Sequence, residues 1–153
     1  MQFQFISIDQ FSLLGGIFLY GFIAALSSLI GFYKSYIQKR HYTLTPLLAP
    51  YGIFVWGDSF LIGGFWAVAS FVSFSLQNTF LFLVLQSLYW MVRAAGEILY
   101  WLLQQFAQTK RDLPESLYFH KYFHGESIWF VYQLFWQLVL VLAATCLIFL
   151  LKM

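Results

Sequence analysis

The sequence predicts an all-α integral membrane protein, a bundle of four transmembrane helices. Its composition is the first reason: 61% of the 153 residues are hydrophobic, 9% are charged, and the mean hydropathy is +0.75. Soluble domains carry roughly 25% charged residues. Eight basic and six acidic side chains are too few to cover a soluble domain of this size. The same apolar content excludes a disordered chain.

Four apolar stretches are the second reason, because a helix needs about 20 apolar residues to cross a ~30 Å hydrocarbon core. They cover, approximately, residues 11–33, 51–74, 79–104 and 128–151. Residues 75–78 alone separate the second stretch from the third, which predicts antiparallel neighbours. We expect one polytopic membrane domain over residues 1–153.

The first stretch is expected to be a retained helix and not a signal peptide. Residues 1–10 contain no Lys or Arg, whereas a signal peptide begins with a positive region. The apolar run that follows is also long enough to span a membrane.

The basic residues predict the orientation of the bundle. The two long loops, residues 34–50 and 106–127, contain six Lys or Arg residues, whereas the opposite side has Lys152 alone. Cytoplasmic loops carry the excess of basic residues. Both loops are therefore predicted to be cytoplasmic and both termini to lie outside, in a plasma (inner) membrane. Aromatic residues near span ends, such as Trp101, Trp129 and Tyr132, fit interfacial anchors.

Small residues recur at helical spacing in the first two spans. The positions are Gly21, Ala24, Ser28 and Gly31 in the first span, Gly52, Ser59, Gly63 and Ser70 in the second, and a narrower stripe at Gly57 and Gly64. Small side chains let helix backbones approach closely in lipid. We expect these faces to pack within the chain, and a dedicated dimer face is the alternative.

Three charged residues fall inside the spans: Asp58 in the second, and Arg93 and Glu97 in the third. Each would cost about 2.5–3.5 kcal/mol at the centre of a bilayer, which favours pairing. Arg93 and Glu97 share a helix face at spacing i, i+4. With Gln133 and Gln137 of the fourth span, these residues are predicted to form a buried polar cluster offset towards the cytoplasm. Such a cluster can be functional or can only fix helix register.

Other motifs are weak. His120 and His124 share a face if helical, but a metal site needs three or four ligands, so a surface-lying segment is the preferred interpretation. The sequence contains no Gly-rich phosphate loop or nucleophile elbow, and Cys146 is its one cysteine. No cofactor is expected. A net charge of +2 is too small to indicate nucleic-acid binding.

Three functions remain open from the sequence. The first is a small non-enzymatic subunit or scaffold, with membrane lipids and either further copies of itself or a partner membrane protein as its contacts. The second is an oligomeric transport or channel protein in which Asp58 or Glu97 binds a proton or cation. The third is an enzyme acting on a lipid of the cytoplasmic leaflet, with the two carboxylates as acid and base.

Overall fold

The computed structural model describes residues 8–107, 117–123 and 125–152. These residues form four long helices: α1 (Ile8–Phe32), α2 (Trp56–Ser75), α3 (Thr79–Phe106) and α4 (Ser127–Lys152). All four helices are long and apolar enough to cross a membrane. The predicted all-helical class is confirmed, while the orientation of the helices stays a prediction.

The chain divides after Leu85 into two compact units. The first unit contains α1, α2 and the first seven residues of α3. The second unit contains the remainder of α3, together with α4 and the residues described between them. The prediction of a single domain stays untested.

Helices α1 and α2 pack closely along their small residues. A Cβ atom added at Gly63 would lie 2.8 Å from the carbonyl oxygen of Ala24, and one added at Gly21 would lie 2.6 Å from Ser70 Cβ. Neither glycine can carry a side chain unless the helices move apart, because both distances are below van der Waals contact. The small residues of α1 and α2 therefore form an interface within the chain, as the first of the two alternatives predicted. Gly52, predicted to share this face, lies in the connection before α2.

Serine hydroxyls add hydrogen bonds across the same interface. Ser59 Oγ donates to the carbonyl oxygen of Ser27 at 2.7 Å, and Ser28 Oγ donates to that of Phe60 at 2.8 Å. Each serine thus bonds to the backbone of the opposite helix. Close backbone approach makes such bonds possible, and hydroxyl donors are common between helices in lipid.

A hairpin of residues 44–55 connects α1 to α2. It follows a π-helical turn at Tyr33–Ile37 and closes with a β-bridge between Leu44 and Val55. The Thr45 amide donates to the carbonyl oxygen of Phe54 at 2.8 Å. The tip is a 3-10 helix, Pro46–Tyr51, that ends at Gly52 in the left-handed conformation, with φ 73°. Proline at the start suits such a helix because its missing N–H group would have had no partner there.

Tyr51 attaches the hairpin tip to both helices of the first unit. The indole Nε1 of Trp66 donates to the carbonyl oxygen of Tyr51 at 3.0 Å, and the Tyr51 hydroxyl donates to the backbone carbonyl oxygen of Tyr20 at 3.3 Å. The rings of Tyr20 and Tyr51 stack with centroids 4.2 Å apart. Tyr51 therefore lies in the hairpin, and the second membrane helix begins five residues later, at Trp56.

Asn78 starts α3. Its side-chain oxygen accepts a hydrogen bond from the Leu81 amide at 2.9 Å, which is the usual role of an N-cap residue. The residue before it, Gln77, has φ 50°, a left-handed conformation that commonly ends a helix. These two residues explain how the three residues between α2 and α3 suffice for the turn.

In the second unit, α3 and α4 meet through aromatic rings. Trp101 stacks on Tyr132 with centroids 4.6 Å apart, and Trp90 stacks on Trp136 at 6.5 Å. Trp129 is 2% exposed. Several aromatic residues predicted to anchor the span ends at the membrane interface therefore also fill the interior of this unit.

Candidate functional site on the polar face of α3

Arg93 and Glu97 form an ion pair on α3. Arg93 Nη2 lies 2.8 Å from Glu97 Oε1, as the i, i+4 spacing predicted. The two side chains keep 26% and 18% of their surface exposed. Arg93 is 14 residues from Thr79 and 13 from Phe106, so it is about 20 Å from either end of the helix. The charges thus lie at mid-helix and reach the protein surface.

The amphipathic pattern of α3 as a whole is consistent with a polar face around Arg93 and Glu97. Of the four long helices, α3 is the most amphipathic, and it is also the helix that contains both charges. Because Arg93 and Glu97 carry opposite unit charges, the face as a whole is close to neutral. We call Arg93, Glu97 and the surface around them the polar face of α3.

The glutamines of α4 have different positions from those predicted. Gln133 accepts a hydrogen bond on Oε1 from Gln105 Nε2 at 2.7 Å, nearer the end of α3 than the ion pair. Gln137 is exposed. Gln105 was not among the predicted site residues. A glutamine at the end of an apolar span is the feature of the sequence that could have identified it.

Asp58 is nearer a helix end than the sequence suggested. It is the third residue of α2, in the first turn, and half-buried. The hydropathy pattern started the span at Tyr51 and so placed Asp58 about 10–12 Å inside it. A carboxylate in the first turn is instead stabilised by the helix dipole. This offers Asp58 a structural role at the start of α2.

The predicted buried charge cluster is not supported. None of the charged side chains among the described residues is buried, and this includes Asp58, Arg93 and Glu97. The physical reason is local. Asp58 stands at the start of its helix in the first unit, while Arg93 and Glu97 neutralise each other on a partly exposed face in the second.

The weak metal hypothesis at His120 and His124 is not tested, because His124 lies outside the described residues. His120 Nδ1 is 2.9 Å from the carbonyl oxygen of Leu117, a hydrogen bond within its own 3-10 turn at Tyr118–Lys121. Among the residues that the structure describes, no three His, Cys, Asp or Glu side chains come together.

A second feature, absent from the sequence analysis, is the contact of Lys34 with the start of α2. The Lys34 ammonium nitrogen lies 3.9 Å from the ring centroid of Trp56, a cation–π contact. The hairpin beside it was not predicted: its residues 44–50 were expected to belong to a cytoplasmic loop and its residues 51–55 to the second span. The apolar run from Leu44 to Ile53, unusual for a loop, is the signal that could have revealed it.

No protein-family profile matches the chain, and neither the curated proteins nor the solved structures contain a significant match. A functional inference therefore depends on the geometry of the chain itself.

Proposed function

We propose that this chain is a small, non-enzymatic, multi-pass membrane subunit that associates with a second copy of itself through the polar face of α3. The observation that carries the proposal is the partly exposed ion pair of Arg93 and Glu97 at the middle of a membrane-length helix. The proposal keeps the predicted orientation, with both termini outside.

The cost of charge in lipid supports association. A single charged side chain costs about 2.5–3.5 kcal/mol at the bilayer centre on the lenient insertion scale. Pairing within the helix lowers this cost, but a pair that still contacts hydrocarbon loses the hydration that both charges would have in water. A protein surface that covers the pair and adds hydrogen bonds would remove this residual cost.

The balance of charge favours a second copy as the partner. A two-fold interface brings one surface patch against itself, so the patch must be self-complementary. Adjacent positive and negative charges satisfy this condition, because Arg93 of one copy can meet Glu97 of the other. The intrahelical pair would then become part of a four-charge network with zero net charge.

Reciprocal charge reversal tests the proposal. Arg93→Glu gives a face with two negative charges, and Glu97→Arg gives a face with two positive charges. Two differently tagged copies would be co-expressed, extracted in mild detergent and isolated through one tag. We expect wild-type copies to co-purify, each single variant to lose self-association, and the two variants to associate with each other.

Loss of self-association without recovery in the mixed pair would contradict the proposed contact. The double reversal, Arg93→Glu with Glu97→Arg, is the matched control because it keeps an opposite-charge pair within one helix. It should self-associate like the wild type. Failure of the double reversal to insert or fold would be detected by size-exclusion chromatography before the association assay.

Transport and lipid catalysis remain alternative hypotheses, and a second variant distinguishes them from the subunit role. Both require a titratable carboxylate at Asp58 or Glu97. If the chain is a subunit, the double variant Asp58→Asn with Glu97→Gln should keep its function provided that it folds and assembles. Proton or cation flux in proteoliposomes that this variant abolishes, without a loss of assembly, would favour transport.

A further inference from the structure

An apolar cleft lies in the first unit between α1 and the hairpin of residues 44–55. It has a volume of about 360 Å³, which falls within the usual range of ~300–1,000 Å³ for small-molecule sites. One wall is a stripe of α1 that includes Ile23, Ser27 and Ile30, and the other is residues 44–48 of the hairpin. Trp56 completes the lining.

The hairpin reaches into the depth that the helices span. Trp66, which bonds to the hairpin at Tyr51, is ten residues beyond Trp56. Allowing for the lean of helical side chains towards the N-terminus, Tyr51 lies about 10–15 Å from the start of α2. This distance is a third to a half of a ~30 Å hydrocarbon core.

The hairpin backbone is suited to an apolar environment. The Thr45 amide donates to Phe54, as described above. Within the tip, the Leu48 amide donates to the Thr45 carbonyl oxygen at 2.9 Å, and the Gly52 amide donates to the Ala49 carbonyl oxygen at 2.8 Å. Irregular backbone at membrane depth is tolerated only where protein or a cavity shields it and its polar groups are satisfied. These hydrogen bonds would allow the hairpin to lie at membrane depth as a re-entrant segment, with the cleft beside it open to lipid tails.

Lys34 places a positive charge beside the cleft, at its Trp56 side. Lys34 follows Ile23, Ser27 and Ile30 at spacings of 11, 7 and 4 residues, so it continues the same helical stripe. Its ammonium group is held over Trp56, the aromatic residue of the lining. A cation–π contact leaves the N–H groups of a lysine able to donate to an anion.

We propose that this cleft binds one acyl chain of an anionic phospholipid, whose headgroup phosphate contacts Lys34. Apolar walls fit a hydrocarbon chain, and the Lys34 ammonium group beside Trp56 fits a negative headgroup. Lys39 and Arg40 follow in the adjacent segment and add to the positive potential at this surface. This inference concerns the first unit and is independent of the association proposed for the polar face of α3.

The headgroup contact is tested by native mass spectrometry of the delipidated full chain in detergent, titrated separately with phosphatidylglycerol and phosphatidylcholine. We expect the first phosphatidylglycerol to bind more tightly than phosphatidylcholine. Lys34→Gln should remove roughly a fivefold preference, the contribution of one basic residue near a membrane surface. Lys152→Gln, at the other end of the chain, is the matched charge control and should keep the preference. An unchanged preference in Lys34→Gln would overturn the proposal.

The acyl-chain site is tested by filling the cleft. Ile30→Trp places a large ring in the lining, whereas Leu29→Trp adds the same ring at the neighbouring position, which is 68% exposed and outside the lining. We expect Ile30→Trp to abolish retention of the first phosphatidylglycerol and Leu29→Trp to leave it unchanged. Equal retention by both variants, with both eluting as folded protein, would contradict binding in this cleft.

Discussion

The two units of this chain hold their helices together in opposite ways. In the first unit, glycines and serines bring α1 and α2 so close that a single added Cβ at Gly63 would lie 2.8 Å from the Ala24 carbonyl oxygen. In the second, α3 and α4 meet through large rings, such as Trp101 on Tyr132, and through one glutamine pair. Helices in lipid gain little from burying apolar surface, so close backbone packing and hydrogen bonds provide most of their association.

This difference suggests a division of roles between the units. The first unit uses its small residues within the chain and also packs the hairpin of residues 44–55 against α1 and α2. The second unit places its charged residues on a face that the chain leaves partly exposed. A close-packed unit is a stable support, while an exposed polar face is a surface suited to assembly.

Glycine-to-alanine substitution in each unit should give the largest contrast. Gly63→Ala is expected to destabilise the protein by about 1–3 kcal/mol, because its methyl group would meet the Ala24 carbonyl oxygen, a backbone atom that can move only with its helix. Gly96→Ala in α3 has no described atom within 4 Å of the new Cβ and should stabilise its helix by about 0.5–1 kcal/mol. Denaturant unfolding in detergent micelles measures both. A loss of stability at both positions would remove the contrast.

The serine bonds of the first unit should give an intermediate effect. Ser59→Ala removes the donor to the Ser27 carbonyl oxygen and is expected to lower the free energy of unfolding by about 0.5–1.5 kcal/mol. Thr145→Val is the control in the second unit, since Thr145 is exposed and donates only to Val141 of its own helix. It should change stability by less than about 0.5 kcal/mol. Equal losses of stability from the two substitutions would show that the interhelical hydrogen bond contributes no more than a bond within one helix.

The glutamine pair of the second unit should give the smallest effect. A double-mutant cycle of Gln105→Leu and Gln133→Leu measures the coupling between the two side chains. We expect about 0.6 kcal/mol, the average for hydrogen bonds between membrane helices. Simple additivity of the two single substitutions would contradict the contact that the structure shows.

Contacts that follow from helical spacing could be predicted from the sequence, whereas contacts of the hairpin could not. Spacing alone identified the small-residue interface and the contact of Arg93 with Glu97, because helical periodicity fixes which residues share a face. It could not place Asp58, because an apolar hairpin and the first turn of a membrane helix have the same hydropathy. The hairpin itself depends on contacts distant in sequence, such as that of Trp66 with Tyr51, which no local pattern encodes.

The copy number of the protein in lipid tests the central claim most directly. Wild-type chain and the variant Arg93→Leu with Glu97→Leu would be reconstituted in nanodiscs at large lipid excess and their masses measured by native mass spectrometry. The account predicts at least two copies per wild-type disc and one copy per disc of the variant. The variant removes both charges together, so no unpaired charge is left in the membrane to disturb folding. A wild-type protein that occupies the discs one copy at a time would contradict the claim.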